Sequence, residues 1–488
     1  MRKPNATTSC PLPASAAASA RMPAASTTCR QWFFRLWLVA ASWFAVGGLA
    51  DELPPSQIAV TAYPSIQTAL EANPGRMIFV PDREYPLTNA IVIRHSGSGL
   101  YGFGRLVQAN SNAAIIEITG AAGVRIRDLT LTRAPGNEAA GKPALDARGC
   151  TSLSLANVRV IENRAPTSAI SLRQCRDAEI TGCVIENYST LGVDDRTASP
   201  HYGYAFNCID GTGIGASACP GLLIQGNRVI ERRMRPTPEL KEHFKLGQFV
   251  KRAAQKGSLV SQRTWDAGYV NNWHQGSAIV VTGPEESRGV RVLDNHIENA
   301  AQGIDLHADD VIVSGNIVVN SFMGLRAMHG SRHVLIADNQ FIRNDLWAIG
   351  LMPGTGSHGA IAATQGTPAQ PANTDGGHLV ANNIISDFGH GDSRWIWGKD
   401  GFTRAPILFD RGQEPDDPPL RDVLVTGNLV FDSGRDGVAA AGFPQPQPLR
   451  YRTAVYLADG TNGPRGLIFD GNLFHSGREG ISNRKLEP

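Results

Sequence analysis

The sequence predicts an all-β chain wound as a solenoid of three parallel sheets. One phrase, apolar–x–apolar–x–x–Asn–x–apolar, recurs along most of its length. Its anchors are Asn157, Asn227, Asn295, Asn316, Asn339, Asn383, Asn428 and Asn472, with Cys183 in the slot once. From Asn295 onward the anchors stand 21, 23, 44, 45 and 44 residues apart. These are one or two units of roughly 22, within the range of solenoid repeats. Inside each unit apolar residues alternate at period two, as in strands. The 52 glycines, with asparagine at the repeat corners, suit a backbone that turns often and needs positive φ.

Three regions follow along the chain. Residues 1–50 read as an export segment: an apolar run over 36–50 ends in Gly48-Leu49-Ala50, a small-x-small cleavage signal. The run is short for a membrane span, which needs ~20 apolar residues. A secreted, periplasmic or cell-surface protein is expected, with no membrane contact beyond that segment. Residues 51–106 read as a cap. Residues 64–72 place Ile66, Ala69 and Leu70 on one helical face, and strands follow at 77–80 and 90–93. Residues 107–488 form the solenoid, with insertions at 194–220, 231–275, 355–377, 389–404, 411–420 and 441–452. The insertion at 355–377 reads as an irregular surface loop.

The best rungs contain first strands at 304–307 and 325–328, second strands at 311–313 and 334–336, and third strands at 317–319 and 340–342. A ladder asparagine points inward at each corner, where an unpaired amide would cost ~1–3 kcal/mol.

Five cysteines follow the export segment. Cys150 and Cys175 occupy equivalent places 25 residues apart, and stacked Cα atoms ~4.8 Å apart lie within disulfide reach. Cys208 and Cys219 could close a loop, leaving Cys183 as a buried thiol. Five reduced packing residues are the alternative.

The run SIQTALEANPGRMIFVPDREYPL, followed by GLYGFG, resembles the opening of the pectate-lyase-like superfamily, although Arg83 stands where glycine is usual. The asparagine repeats match the same superfamily's ladder. The resemblance implies a right-handed parallel β-helix and, because the superfamily includes lyases, hydrolases, epimerases and phage tailspikes, action on carbohydrate without naming the reaction. The ordered polygalacturonase motifs are absent, an epimerase-type Asp-Pro-His-Asp is only echoed in Asp305-Leu306-His307-Ala308-Asp309, and no lyase-type catalytic signature is recognisable.

Aligning Gly303 with Gly324 sets Asp305 beside Arg326 on the outer face of adjacent rungs. His307 lies two residues on, with Asp309, Asp310 and His329 at the following turn. Asp305, His307, Arg326 and His329 are the candidate catalytic residues. A lyase needs a base for the proton α to a uronate and a cation for its carboxylate; a hydrolase needs two carboxylates.

Between Arg228 and Arg263 the chain carries ten basic residues, among them Arg233, Lys241 and Lys245, against three glutamates. With a helix expected from Thr237-Pro238 to about Lys256, this segment could lie over the Asp305–Arg326 face and hold a polyanion. Trp273 and His274, and later Trp395, Trp397 and Lys399, offer stacking and polar contacts. The expected ligand set is therefore Arg233, Lys241, Lys245, Trp273, His274, Asp309 and Asp310. No cofactor is certain. Asp194, Asp195 and Asp210 could contribute a Ca²⁺ site, so Ca is a candidate and any metal is otherwise unknown.

The net charge of +2 excludes whole-surface nucleic-acid binding. The expected partner is an acidic polysaccharide and the expected state a monomer. The expected function is cleavage, by lyase more than hydrolase chemistry, or epimerisation of that polysaccharide. The alternative is a non-catalytic glycan-binding or surface structural β-helix.

Overall fold

The computed structural model describes residues 57–192, 208–232, 276–391, 404–412, 415–433 and 449–487. The chain divides into two units, Met1–Pro54 and Pro55–Pro488; every described residue belongs to the second. The export segment lies outside the described residues, among which no helix is long and apolar enough to cross a membrane.

Period-two alternation becomes parallel strands of two to six residues. Among the described residues they stack into three parallel sheets of 13, 12 and 12 strands, each rung adding one strand to each sheet. Every second side chain enters one continuous core: Ile304, Leu306, Leu325, Ala327, Ile349 and Leu351 are fully buried in neighbouring rungs. Burying each large aliphatic side chain contributes ~1.5–3 kcal/mol.

At the start, helix Ile66–Ala72 buries Ile66, Ala69 and Leu70, and the Ser65 hydroxyl caps it by accepting from Thr68 N–H at 3.1 Å. Strands Met77–Val80 and Ile91–Ile93 follow. In the central rungs the first strands are Gln302–His307 and Met323–Ala327, and the third are Ile317–Val319 and Gln340–Ile342.

The asparagine ladder runs unbroken from Asn227 to Asn472. Each Oδ1 from Asn295 onward accepts the backbone N–H and the side-chain Nδ2 of the asparagine one rung earlier, at 2.9–3.1 Å. Cys183 N–H donates to Asn227 Oδ1 at 2.8 Å and ends the run. The other Nδ2 proton goes to a core-lining carbonyl, as from Asn316 to Val292 O at 2.9 Å.

Asn157 is not in this ladder. Arg159 pairs with Val184, so Val158 faces Cys183 and Asn157 falls one place early. There it takes φ +55° and donates to Asp128 Oδ1 at 3.0 Å on the outside. Asparagine tolerates left-handed backbone, and that preference placed it at the corner.

Neither expected disulfide forms: Cys150, Cys175, Cys183 and Cys219 are buried free thiols. The Sγ atoms of Cys150 and Cys175 each donate to the carbonyl two residues back, of Arg148 and Arg173, at 3.4 Å. Cys219, rather than pairing with Cys208, takes the equivalent corner, its Sγ donating to Ser217 O at 3.2 Å. Cys208 lies in a two-stranded antiparallel hairpin, Thr190–Gly192 with Cys208–Asp210. The insertion at 355–377 is not irregular either; antiparallel bridges His358–Asn373, Ile361–Gln370 and Thr364–Thr367 make it a ribbon.

Candidate functional site

Strands Gln302–His307 and Met323–Ala327 lie side by side in the 12-stranded sheet that also holds Trp347–Leu351, and Asp305 pairs in register with Arg326. Alternation turns both side chains away from the core. Gly303 and Gly324 are required just before them, because a Cβ would meet Gly324 O at 2.3 Å and Ala348 O at 2.4 Å.

Arg326 grips Asp305 with two hydrogen bonds, Nε to Oδ1 at 2.7 Å and Nη2 to Oδ2 at 2.8 Å. The residues are only 3% and 8% exposed. Burial by itself would raise the Asp305 pKa, but the charges of Arg326 and His307 hold it well below the usual carboxylate range. His307 Nε2 lies 3.1 Å from Asp305 Oδ1, a charge contact outside hydrogen-bond geometry. The His307 side chain is 18% exposed, the most accessible of these three.

His329 completes the group. Its ring meets that of His307 edge to face, centroids 4.4 Å apart. It follows its strand in left-handed backbone at φ +61°, a corner conformation that Asp310, Asn320 and His333 also adopt. The ribbon fixes the ring: Gly356 N–H donates to Nδ1 at 3.0 Å, and Asn373 Nδ2 donates to the His329 carbonyl at 2.9 Å. Because Nδ1 accepts, the neutral ring carries its proton on Nε2. Burial, with the charges of His307 and Arg326, pushes its pKa down to about 3. The site therefore joins a fixed carboxylate, an accessible imidazole, a guanidinium with Nη1 outside the ion pair, and a neutral imidazole N–H.

The other expected ligands divide. Asp309 is buried and structural: Oδ1 accepts Arg332 N–H at 3.1 Å, while Oδ2 accepts Arg332 Nη2 at 2.7 Å and Glu285 N–H at 3.1 Å. It cannot meet a substrate without breaking these bonds. Asp310 is exposed and lies 3.0 Å from His333, past the corner. Arg233, Lys241, Lys245, Trp273, His274, Trp395, Trp397 and Lys399 lie outside the described residues, as do Asp194 and Asp195 of the calcium expectation. Asp210 Oδ1 accepts Gly211 N–H at 2.7 Å. Among the described residues no group of three or more His, Cys, Asp or Glu is placed to hold a metal.

Sequence reading missed the wall beyond Arg326. Met323, Met328, Trp347, Met352 and Leu408 form a second buried apolar cluster outside the solenoid core. Its signal was present: apolar residues stand at 323 and 347, which pair in register on this sheet. Gly350 pairs with Arg326, and a Cβ there would press on the Trp347 ring at 3.1 Å.

The chain is similar in structure to an exopolygalacturonase of family 28 from Yersinia enterocolitica, at 11% identity and TM-score 0.51 over 87% of this chain and 78% of that one. An alginate lyase described as PL6, solved with a trisaccharide, matches at 12% identity and TM-score 0.50 over 88% and 87%. The Agl-KA catalytic domain matches at 12% and 0.50 over 89% and 69%. At such identities the likeness is one of fold. No curated protein sequence matches the chain significantly. The family model described as right handed beta helix region matches residues 87–341. The stacked parallel strands and that match over more than half the chain agree, and the protein belongs to the right-handed β-helix family.

Proposed function

We propose that the protein is a lyase acting on an acidic, uronate-containing polysaccharide at the Asp305–His307–Arg326–His329 site. The observation that carries this is the state of Asp305: the sole carboxylate of the quartet is gripped by two bonds from Arg326 and held ionised. It cannot serve as the proton-donating acid a hydrolase needs. Its negative charge can stabilise His307 when that ring is protonated.

In this mechanism His307 takes the proton α to the uronate carboxylate. The developing negative charge on that carboxylate is met by Arg326 Nη1 and the Nε2–H of His329. The electron pair moves to form the C4–C5 double bond, the C4–O bond breaks, and protonated His307 returns its proton to the departing oxygen. The depressed pKa of His329 keeps it a neutral donor.

The apolar signal-like run over residues 36–50 supports export. The basic segment around Lys241 and Lys245 supports a polyanionic substrate, and a monomer is retained as the working state. A second reading follows from burial. A bidentate pair under one-tenth exposed is also what a structural brace looks like, and then the protein is a glycan-binding β-helix without catalysis. Absorbance at 235 nm, measured on uronate polymers, separates them: a lyase generates the unsaturated product and a binding protein does not.

A further inference from the structure

On the same outer sheet, a second polar cluster lies several strands before the quartet. Asp146 is 9% exposed at its side chain and accepts Arg148 Nη2 at 2.8 Å and Arg173 Nη2 at 3.0 Å. The two arginine side chains are about half exposed, at 51% and 45%. Asp146 thus fixes two arginines whose remaining donors face outward. They border a groove of about 380 Å³ that also takes in Lys142, Ser168, Ser171 and Thr282. With Lys142 the lining carries three positive charges against one negative; Glu117, in register with Asp146 one strand earlier, is not part of the lining but its charge acts on Arg148.

The groove points at the quartet. The register from Asp146 runs through Ser171, Gly215 and Val280 to Asp305. Beside it, Arg173 runs through Ser217 and Thr282 to His307. Between the two charged clusters the floor is therefore small or neutral: hydroxyls, one valine and one glycine. A Cβ at Gly215 would sit 2.2 Å from Ser168 Oγ and displace that hydroxyl. Three strand steps of ~4.8 Å put Arg173 ~14 Å from the His307 strand.

We propose that Arg148, Arg173 and Lys142 form a remote subsite for a carboxylate of an extended anionic polysaccharide, whose intervening sugars lie along Ser171, Gly215, Ser217 and Thr282. This takes an acidic polysaccharide as ligand from the proposed function, but not the chemistry at His307. Arginines held in place by a buried carboxylate lose little freedom on binding, which favours paired contacts with a second carboxylate.

The test is calorimetric binding of polygalacturonate and of alginate to the full-length protein, with neutral dextran as control, at 50 and 200 mM salt. Wild type should bind at least one uronate polymer, more weakly at the higher salt. Arg148→Ala/Arg173→Ala should weaken binding about tenfold or more, as should Ser171→Tyr, which fills the floor and keeps both arginines. If the double variant fails to fold, Ser171→Tyr decides. No binding of either polymer by wild type overturns the subsite, as does a decisive variant within twofold of wild type. Binding that is lost in the groove variants, without any rise at 235 nm, keeps the subsite and sinks the lyase. Cleavage whose KM for polymer is unmoved by the double variant sinks the subsite alone.

Discussion

Replacing Arg326 with methionine keeps most of the volume and the apolar stem but removes both bonds to Asp305. In the native protein that carboxylate is only 3% exposed, and His307 is its other close neighbour. Removing one partner of a buried, hydrogen-bonded pair costs about 3–5 kcal/mol, because the other charge is left uncompensated. The pH dependence should also change sign. In wild type the Asp305 pKa is lowered on folding, so its stabilisation is present above the unfolded carboxylate pKa of ~3.9 and is lost as pH falls through the still lower folded value. In Arg326→Met burial dominates, the folded pKa rises, and stability falls as pH increases above about 4. Urea unfolding of both proteins from pH 4 to 8 reads this, with Asp305→Asn/Arg326→Met recovering most of the loss. A loss below about 1 kcal/mol that is flat with pH would refute the buried pair and leave an ordinary surface bridge.

Other expectations are independent of that pair. His329 is held neutral with a pKa near 3, below its unfolded value, so it withdraws stability as pH falls through about 6.5 toward 3. His329→Asn keeps an acceptor for Gly356 N–H and tolerates φ +61°. Thermal melts should show it less acid-sensitive than wild type, and an unchanged acid profile would count against a buried neutral ring. Asp375 accepts from Gly330 N–H, Ser331 N–H and the Ser357 hydroxyl, and burial pushes its pKa up to about 7. Stability is therefore lost as pH rises from the unfolded carboxylate pKa of ~3.9 to about 7 and is level above that, and Asp375→Asn should be more stable than wild type at pH 8. In the ladder, Asn316→Ala orphans the N–H and one Nδ2 proton of Asn295 and should cost at least ~2 kcal/mol in urea. Asn157→Gly, on the outer corner, should change stability by less than about 1 kcal/mol; equal costs would contradict the corrected register.

The fold was legible because period two and the inward asparagine are direct consequences of stacking three-strand rungs. The Gly303–Gly324 alignment gave the Asp305–Arg326 register for the same reason: no other residue fits where those backbones approach. Legibility failed at corners. Asn157 and the ladder asparagines are the same residue type serving different needs, left-handed backbone in one case and a buried amide bridge in the other. Asp309 looked like a ligand because the chain gave no sign that Arg332 and Glu285 N–H would occupy it. His329 was found by proximity, but its restraint by Gly356 and Asn373 comes from a ribbon whose pairing has no strong strand pattern. Asp146, Arg148 and Arg173 stood beside the cysteines that drew the disulfide expectation, and their meaning appears only once both rungs are stacked.

The most direct measurement is the initial rate of absorbance increase at 235 nm on uronate polymers for wild type and His307→Ala. The proposed mechanism predicts a rise for wild type on at least one polymer and a fall of about 10²–10⁴-fold in the variant, with the fold intact by circular dichroism. A wild-type protein that gives no rise on any uronate polymer, or a His307→Ala variant that cleaves as fast as wild type, would contradict it.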